Sequence, residues 1–111
     1  MKLDAQKFHV KVLSTPEAHI VFMTGELDLG TAELFQSAVE TIAAQKDVPL
    51  KLNMRELTYI DSTGIGIIVT LLKQRQDSNG LMTAQEVPPK IRRLFDMTGL
   101  SQFLTVEGGG G

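Results

Sequence analysis

Tyr59-Ile60-Asp61-Ser62-Thr63-Gly64-Ile65-Gly66-Ile67-Ile68-Val69 passes from small, polar, turn-forming residues straight into a nearly unbroken apolar run. Asp61, Ser62 and Thr63 are all good helix N-cap types, because their side-chain oxygens accept from the free N–H groups of a first turn. Gly64 and Gly66 are poor helix formers, at about 1 kcal/mol each relative to alanine. Glycines in a first turn also leave the backbone open to close approach. The pattern reads as a pair of hydroxyls displayed at the start of a buried helix.

Outward from this stretch, the helix should run from about Ser62 to Asp77, with Ile65, Ile68, Val69 and Leu72 towards a sheet. Ile65 is also a candidate apolar anchor on an outer surface if the other three define the inner stripe. Ser78-Asn79-Gly80 is a stop signal, with Gly80 as the expected left-handed cap. Before the stretch, Leu50, Leu52 and Met54 alternate with Lys51 and Asn53 as in a strand, and residues 55–58 cross towards the helix. Leu34, Phe35, Ala38, Val39, Ile42 and Ala43 form one stripe of an earlier helix, which Asp28 or Thr31 could cap.

Phe8 to Leu13 mostly alternates, as a half-buried edge strand does, whereas Ala18 to Met23 is more continuously apolar, as in a strand covered on both faces. The short turn at Ser14–Glu17 makes these two an antiparallel hairpin. After Gly80, a strand at Leu81–Ala84 precedes a helix opened by Pro88 and Pro89, with Ile91, Leu94 and Phe95 inside and Lys90, Arg92 and Arg93 in water. Gly99 ends it, Leu100, Phe103 and Leu104 pack beneath, and Thr105-Val106 adds a short last strand. The order is that of an α/β fold with a mostly parallel sheet. One domain over residues 1–107 with a disordered glycine tail at 108–111 is expected from 111 residues.

Both Gly25–Asp28 and Asp61–Gly64 fall at carboxyl ends of strands, just before helices, where α/β sheets gather their sites. If the two strands are neighbours, Asp28 and Ser62 share one surface. A serine hydrolase would need Gly-x-Ser-x-Gly and a partner histidine, but Ser62 lies between Ile60 and Gly64, and the two histidines, His9 and His19, are both in the hairpin. A phosphate-binding loop lacks its lysine, and an Asp-Thr/Ser-Gly dyad would need a second copy. With no cysteine and no clustered histidine, no metal or cofactor is expected, and no catalytic residue is assigned. A net charge of −2 gives no electrostatic basis for nucleic acid or an anionic membrane. No apolar run nears the ~20 residues of a membrane span, so the expected setting is cytoplasmic.

Gly25-Glu26-Leu27-Asp28, Tyr59–Gly66 and Arg93-Leu94-Phe95-Asp96-Met97-Thr98-Gly99-Leu100 resemble, in order, the signatures of the STAS domain. More narrowly they resemble the bacterial anti-sigma factor antagonists. That resemblance implies a non-enzymatic partner switch. The unphosphorylated antagonist binds an anti-sigma factor that is also a serine kinase, which frees a sigma factor; the kinase modifies the serine after the motif's aspartate, here Ser62, and binding is lost. A separate metal-dependent phosphatase would reset phospho-Ser62. The implied partner surface is Asp28, Asp61, Ser62, Thr63, Gly64 and Ile65, on a protein that is monomeric when free. A scaffold subunit of a stressosome or of a lipid-transport complex is the alternative the resemblance leaves open.

Overall fold

The structure is a computed structural model that describes residues 7–45, 47–77 and 80–107. The glycine tail, residues 1–6, and Ser78 and Asn79 of the expected stop signal lie outside the described residues. Strand β1 (Phe8–Ser14) and β2 (His19–Leu27) are followed by α1 (Ala32–Ala43), β3 (Leu50–Ile60), α2 (Ser62–Asp77), β4 (Met82–Gln85), α3 (Pro89–Thr98), a 3₁₀ turn (Leu100–Gln102) and β5 (Thr105–Glu107). β1 pairs antiparallel with β2, and the rest of the five-stranded sheet is parallel in the order β1-β2-β3-β4-β5. The α/β reading and the hairpin are therefore as expected.

That order never reverses. Right-handed crossovers between successive neighbours all fall on the same side of a sheet, so α1, α2 and α3 cover one face only. The burial pattern agrees: His19, Val21, Met23 and Leu27 are buried while Phe22, Thr24 and Glu26 are exposed. The expectation that β2 is covered on both faces is thus corrected. The apolar run at Ala18–Met23 reflects Phe22 and Ile20 standing on the helix-free face, not a second layer. On that face Glu107 accepts from Lys51 (3.3 Å) and from the Thr83 hydroxyl (3.0 Å), joining three strands through side chains.

β3 is longer than its alternation suggests. Leu50, Leu52 and Met54 are buried at a spacing of two, and then Leu57 and Ile60 at a spacing of three. Each step of three coincides with a register shift against β2, between Phe22 and Thr24 and between Gly25 and Glu26, where β3 carries one extra residue. Two bulges therefore hide the second half of the strand from a period-two reading, and residues 55–58 are strand, not a crossing segment. The bulges let Ile60 still face the core, opposite Leu27.

Helix α2 spans the expected residues, but its inner face is turned. Gly64, Ile68, Leu71, Leu72 and Arg75 are buried, while Ile65 and Val69 are half-buried. Arg75 is the unexpected member. Its guanidinium donates to the carbonyls of Ala43 (3.2 Å), Gln45 (3.1 Å), Val48 (2.7 Å) and Leu81 (2.8 Å). It thereby ties the carboxyl end of α1, the following loop and the entry to β4 to α2. The cation also sits where the α1 dipole presents its negative end. Gly80 is not the expected left-handed cap: its N–H donates to the Arg75 carbonyl (2.6 Å), and it is glycine because a Cβ there would be 2.9 Å from the guanidinium carbon.

Three further side chains differ from expectation. Leu34 is on the exposed side of α1, Leu81 precedes β4 and is exposed, and Phe103 is 66% exposed, so only Leu100 and Leu104 pack beneath α3. Gly99 does end α3 in the left-handed region, at φ +82°.

Candidate functional site

β2 and β3 are neighbours, and their carboxyl ends finish together, with Glu26 opposite Tyr59 and Leu27 opposite Ile60. Asp28 and Asp61 follow immediately, so the two loops expected to share a surface do so. Asp61 joins them. Its Oδ1 accepts the Gly64 N–H at 3.0 Å, which caps α2 at its third residue, and its Oδ2 accepts the Leu29 N–H of the β2–α1 loop at 3.2 Å. Its own N–H donates to the Leu27 carbonyl (3.2 Å). Asp61→Ala removes the cap and the loop tie together. It is expected to cost about 1–2 kcal/mol, measurable as a shifted urea midpoint at unchanged slope.

With Asp61 as the cap, Ser62 is the first helical residue and is exposed. Its hydroxyl makes no hydrogen bond among the described residues. Thr63 is half-buried beside it. Of the three capping candidates, then, the aspartate caps and the serine faces solvent.

Asp28 does not cap α1. Its Oδ1 accepts the Gly30 N–H at 3.0 Å in a local turn, and its Oδ2 forms an ion pair with Lys7. Lys7, through that charged hydrogen bond, holds the Asp28 carboxyl below the usual carboxylate range. Thr31 occupies the N-cap position without capping, because its hydroxyl donates back to the Glu26 carbonyl (2.8 Å) and accepts the Asp28 N–H (2.9 Å). Both cap candidates of α1 are thus used to fold the β2–α1 loop onto the end of β2. Lys7 was not legible as a site residue, since nothing in the sequence pairs it with Asp28, 21 positions on.

Gly64 and Gly66 divide in role. A Cβ on Gly64 would meet the Leu27 carbonyl oxygen and Ile60 Cγ1 at 2.8 Å each, so this glycine seats α2 against the ends of β2 and β3 and is itself buried. Gly66 has nothing within 4 Å of such a Cβ and is open. Ile65, one turn from the serine, lines a groove of about 390 Å³ with Val69, Leu72, Leu100 and Phe103, between α2 and the 3₁₀ turn. The exposure of Phe103 belongs to this groove.

His19 lies at the other end of the sheet, opposite Leu50 at the start of β3, and its ring contacts the Ser14 hydroxyl (2.7 Å) and the Gln45 side-chain oxygen (3.0 Å). It is buried there and not near Ser62. Among the described residues no helix is long and apolar enough to cross a membrane.

Comparison with known proteins gives a consistent result. The model of the STAS domain family matches residues 9–108. The chain is 31% identical over 88 residues to the anti-sigma F factor antagonist of Paenibacillus polymyxa, covering 78% of this chain and 75% of that protein. It is 29% identical over 87 residues to the anti-sigma-B factor antagonist of Listeria monocytogenes, covering 78% and 76%. Among solved structures, the anti-sigma factor antagonist SpoIIAA in its unphosphorylated form superposes with a TM-score of 0.73 at 22% identity, over 91% of this chain and 88% of that one. Its phosphorylated form, from Bacillus, gives 0.68, also at 22% identity, over 91% of each chain. The structural likenesses bear on the fold, and the family match spans nearly all of the sequence: the chain belongs to the STAS domain family.

Proposed function

We propose that this protein is an anti-sigma factor antagonist, whose surface around Ser62 binds an anti-sigma factor with serine kinase activity and so releases a sigma factor. Phosphorylation of Ser62 ends that binding, and a metal-dependent phosphatase restores it. The observation that carries the reading is the exposed Ser62 hydroxyl at the first position of α2, free because Asp61 takes the capping role. Relatives named as anti-sigma factor antagonists support it.

The electrostatics favour a switch at the surface over a switch in the fold. A phosphate on Ser62 stands at a helix N-terminus, whose N–H groups and dipole accommodate an anion. It adds about −1.5 to −2 charge beside Asp28 and Asp61. Burying that dianion in an interface without a matching cation costs several kcal/mol, a tenfold to thousandfold loss of affinity at about 1.4 kcal/mol per decade. The fold is expected to change little, so the far-ultraviolet circular dichroism of the two forms should coincide. Melting of α2 on modification would contradict this account.

The direct test is incubation with the purified serine-kinase anti-sigma factors of the host and ATP, followed by phosphopeptide mapping. A single phosphate on Ser62, absent from Ser62→Ala, with complex formation lost once it is added, is the expected result. Phosphate transfer to Thr63, or tight binding with no transfer, would overturn the switch.

A further inference from the structure

Leu29 is the most exposed of the large apolar side chains among the described residues, at 76%. A lone exposed leucine is ordinary on a protein surface. This one differs in how its backbone is held. Its N–H donates to Asp61 Oδ2, the residues on either side are fixed by the Gly30 N–H to Asp28 bond, and Thr31 N–H donates to the Asp28 carbonyl (3.1 Å). The leucine therefore projects from a pinned turn, one hydrogen bond from the residue that precedes Ser62. An apolar side chain presented on a rigid turn loses little conformational entropy when a partner covers it, which favours its use as an anchor.

The neighbouring carboxylates are already partnered. Asp28 is paired with Lys7 and the Gly30 N–H, and both oxygens of Asp61 accept backbone N–H groups. Both carboxylates are therefore hydrogen-bonded before a partner arrives, and the feature left unsatisfied in water is the leucine side chain. From this geometry we infer that Leu29 is the apolar anchor of the Ser62 surface and inserts into an apolar pocket of the anti-sigma factor. The inference rests on the function proposed above and adds the recognition chemistry of its partner. It also accounts for the sensitivity of the switch: a phosphate brings a dianion to the rim of a contact whose centre is apolar and whose carboxylates, at Glu26, Asp28 and Asp61, already outnumber the Lys7 cation.

The experiment is titration of each purified serine-kinase anti-sigma factor of the host, in the presence of ADP, with the full-length chain and with Leu29→Ala, Leu29→Met and Leu81→Ala. Leu81 is a matched control, being 67% exposed but next to the start of β4, at the opposite end of the sheet. Leu29→Ala is expected to weaken binding by about tenfold or more, as hot-spot truncations do. Leu29→Met should stay close to the original chain, Leu81→Ala should match it, and all should share one thermal midpoint. Binding by Leu29→Ala within twofold of the original chain overturns the anchor while leaving the proposed function intact. Failure of the original chain to bind any of these kinases overturns the proposed function, and the anchor with it.

Discussion

Arg75→Met is expected to lower folding stability by about 3–5 kcal/mol, because several carbonyls lose their donor at about 1–3 kcal/mol each while removal of the desolvated cation returns part of that. Methionine fills most of the volume, so the loss should come from polarity. Four backbone carbonyls, at Ala43, Gln45, Val48 and Leu81, would lose their donor, and unlike side-chain partners they cannot be substituted away. Leaving a buried acceptor unsatisfied costs about 1–3 kcal/mol, which water reaching the more open of these carbonyls would reduce. The Arg75 Nε has no partner among the described residues, so the native arrangement already forgoes one bond. Burial lowers the guanidinium pKa, yet arginine remains charged at any physiological pH. Arg75→Lys should recover less than half of the loss, because one ammonium cannot present a planar fork to carbonyls from three segments. Set against a typical total of about 5–15 kcal/mol, the methionine variant should be partly unfolded at 37 °C. Urea titration decides the matter: a midpoint within about 1 kcal/mol of the original would remove Arg75 from its structural role.

Gly64→Ala is the second large effect, and it should reach function. The added methyl would meet a backbone oxygen, that of Leu27, as well as Ile60, and the backbone oxygen cannot turn aside as a side chain can. Overpacking of this kind costs about 1–3 kcal/mol, and relief requires the start of α2 to move away from the end of β2. That movement separates Ser62 and Asp61 from Asp28 and Leu29, so binding of the anti-sigma factor should fall more than stability alone accounts for. Gly66→Ala is the contrast. In the same helix and in open space, it should stabilise the chain by about 0.5–1 kcal/mol through helix propensity. Thermal unfolding of the two variants side by side should therefore shift in opposite directions. Shifts of the same sign would mean that α2 is not seated on β2 by Gly64.

The α/β order, the hairpin and the extent of α2 were legible because each rests on local signals: turn residues, capping types and apolar periodicity. The juxtaposition of Asp28 with Ser62 was legible conditionally, since it needed only β2 and β3 to be neighbours. What the sequence concealed was set by non-local partners. The second half of β3 was lost because two bulges shift its phase. Arg75 reads as a surface residue because its acceptors are backbone carbonyls distant in sequence, at Ala43, Gln45 and Val48, and such acceptors carry no side-chain signature. Gly64 and Gly66 look alike in one dimension, and only the proximity of Leu27 and Ile60 separates them. Leu29 stood out in no pattern, since a single leucine within Asp28-Leu29-Gly30 has neither period nor partner until Asp61 is folded beside it. Thr31 does not cap for the same reason, since the Asp28 N–H that occupies its hydroxyl oxygen (2.9 Å) reaches it only when the loop turns back.

The bulges in β3 also bear on how the chain can change over generations. In a regular strand, loss of one codon reverses the facing of every later side chain. Here the extra residue at each bulge has no partner of its own on β2, and the pairing of Leu57 with Gly25 and of Ile60 with Leu27 resumes beyond it. A single-residue deletion at either position would restore plain alternation and leave the helix start, with its serine, at the same height on the sheet. β3 therefore contains two points of slack where length can drift while the switch stays in place.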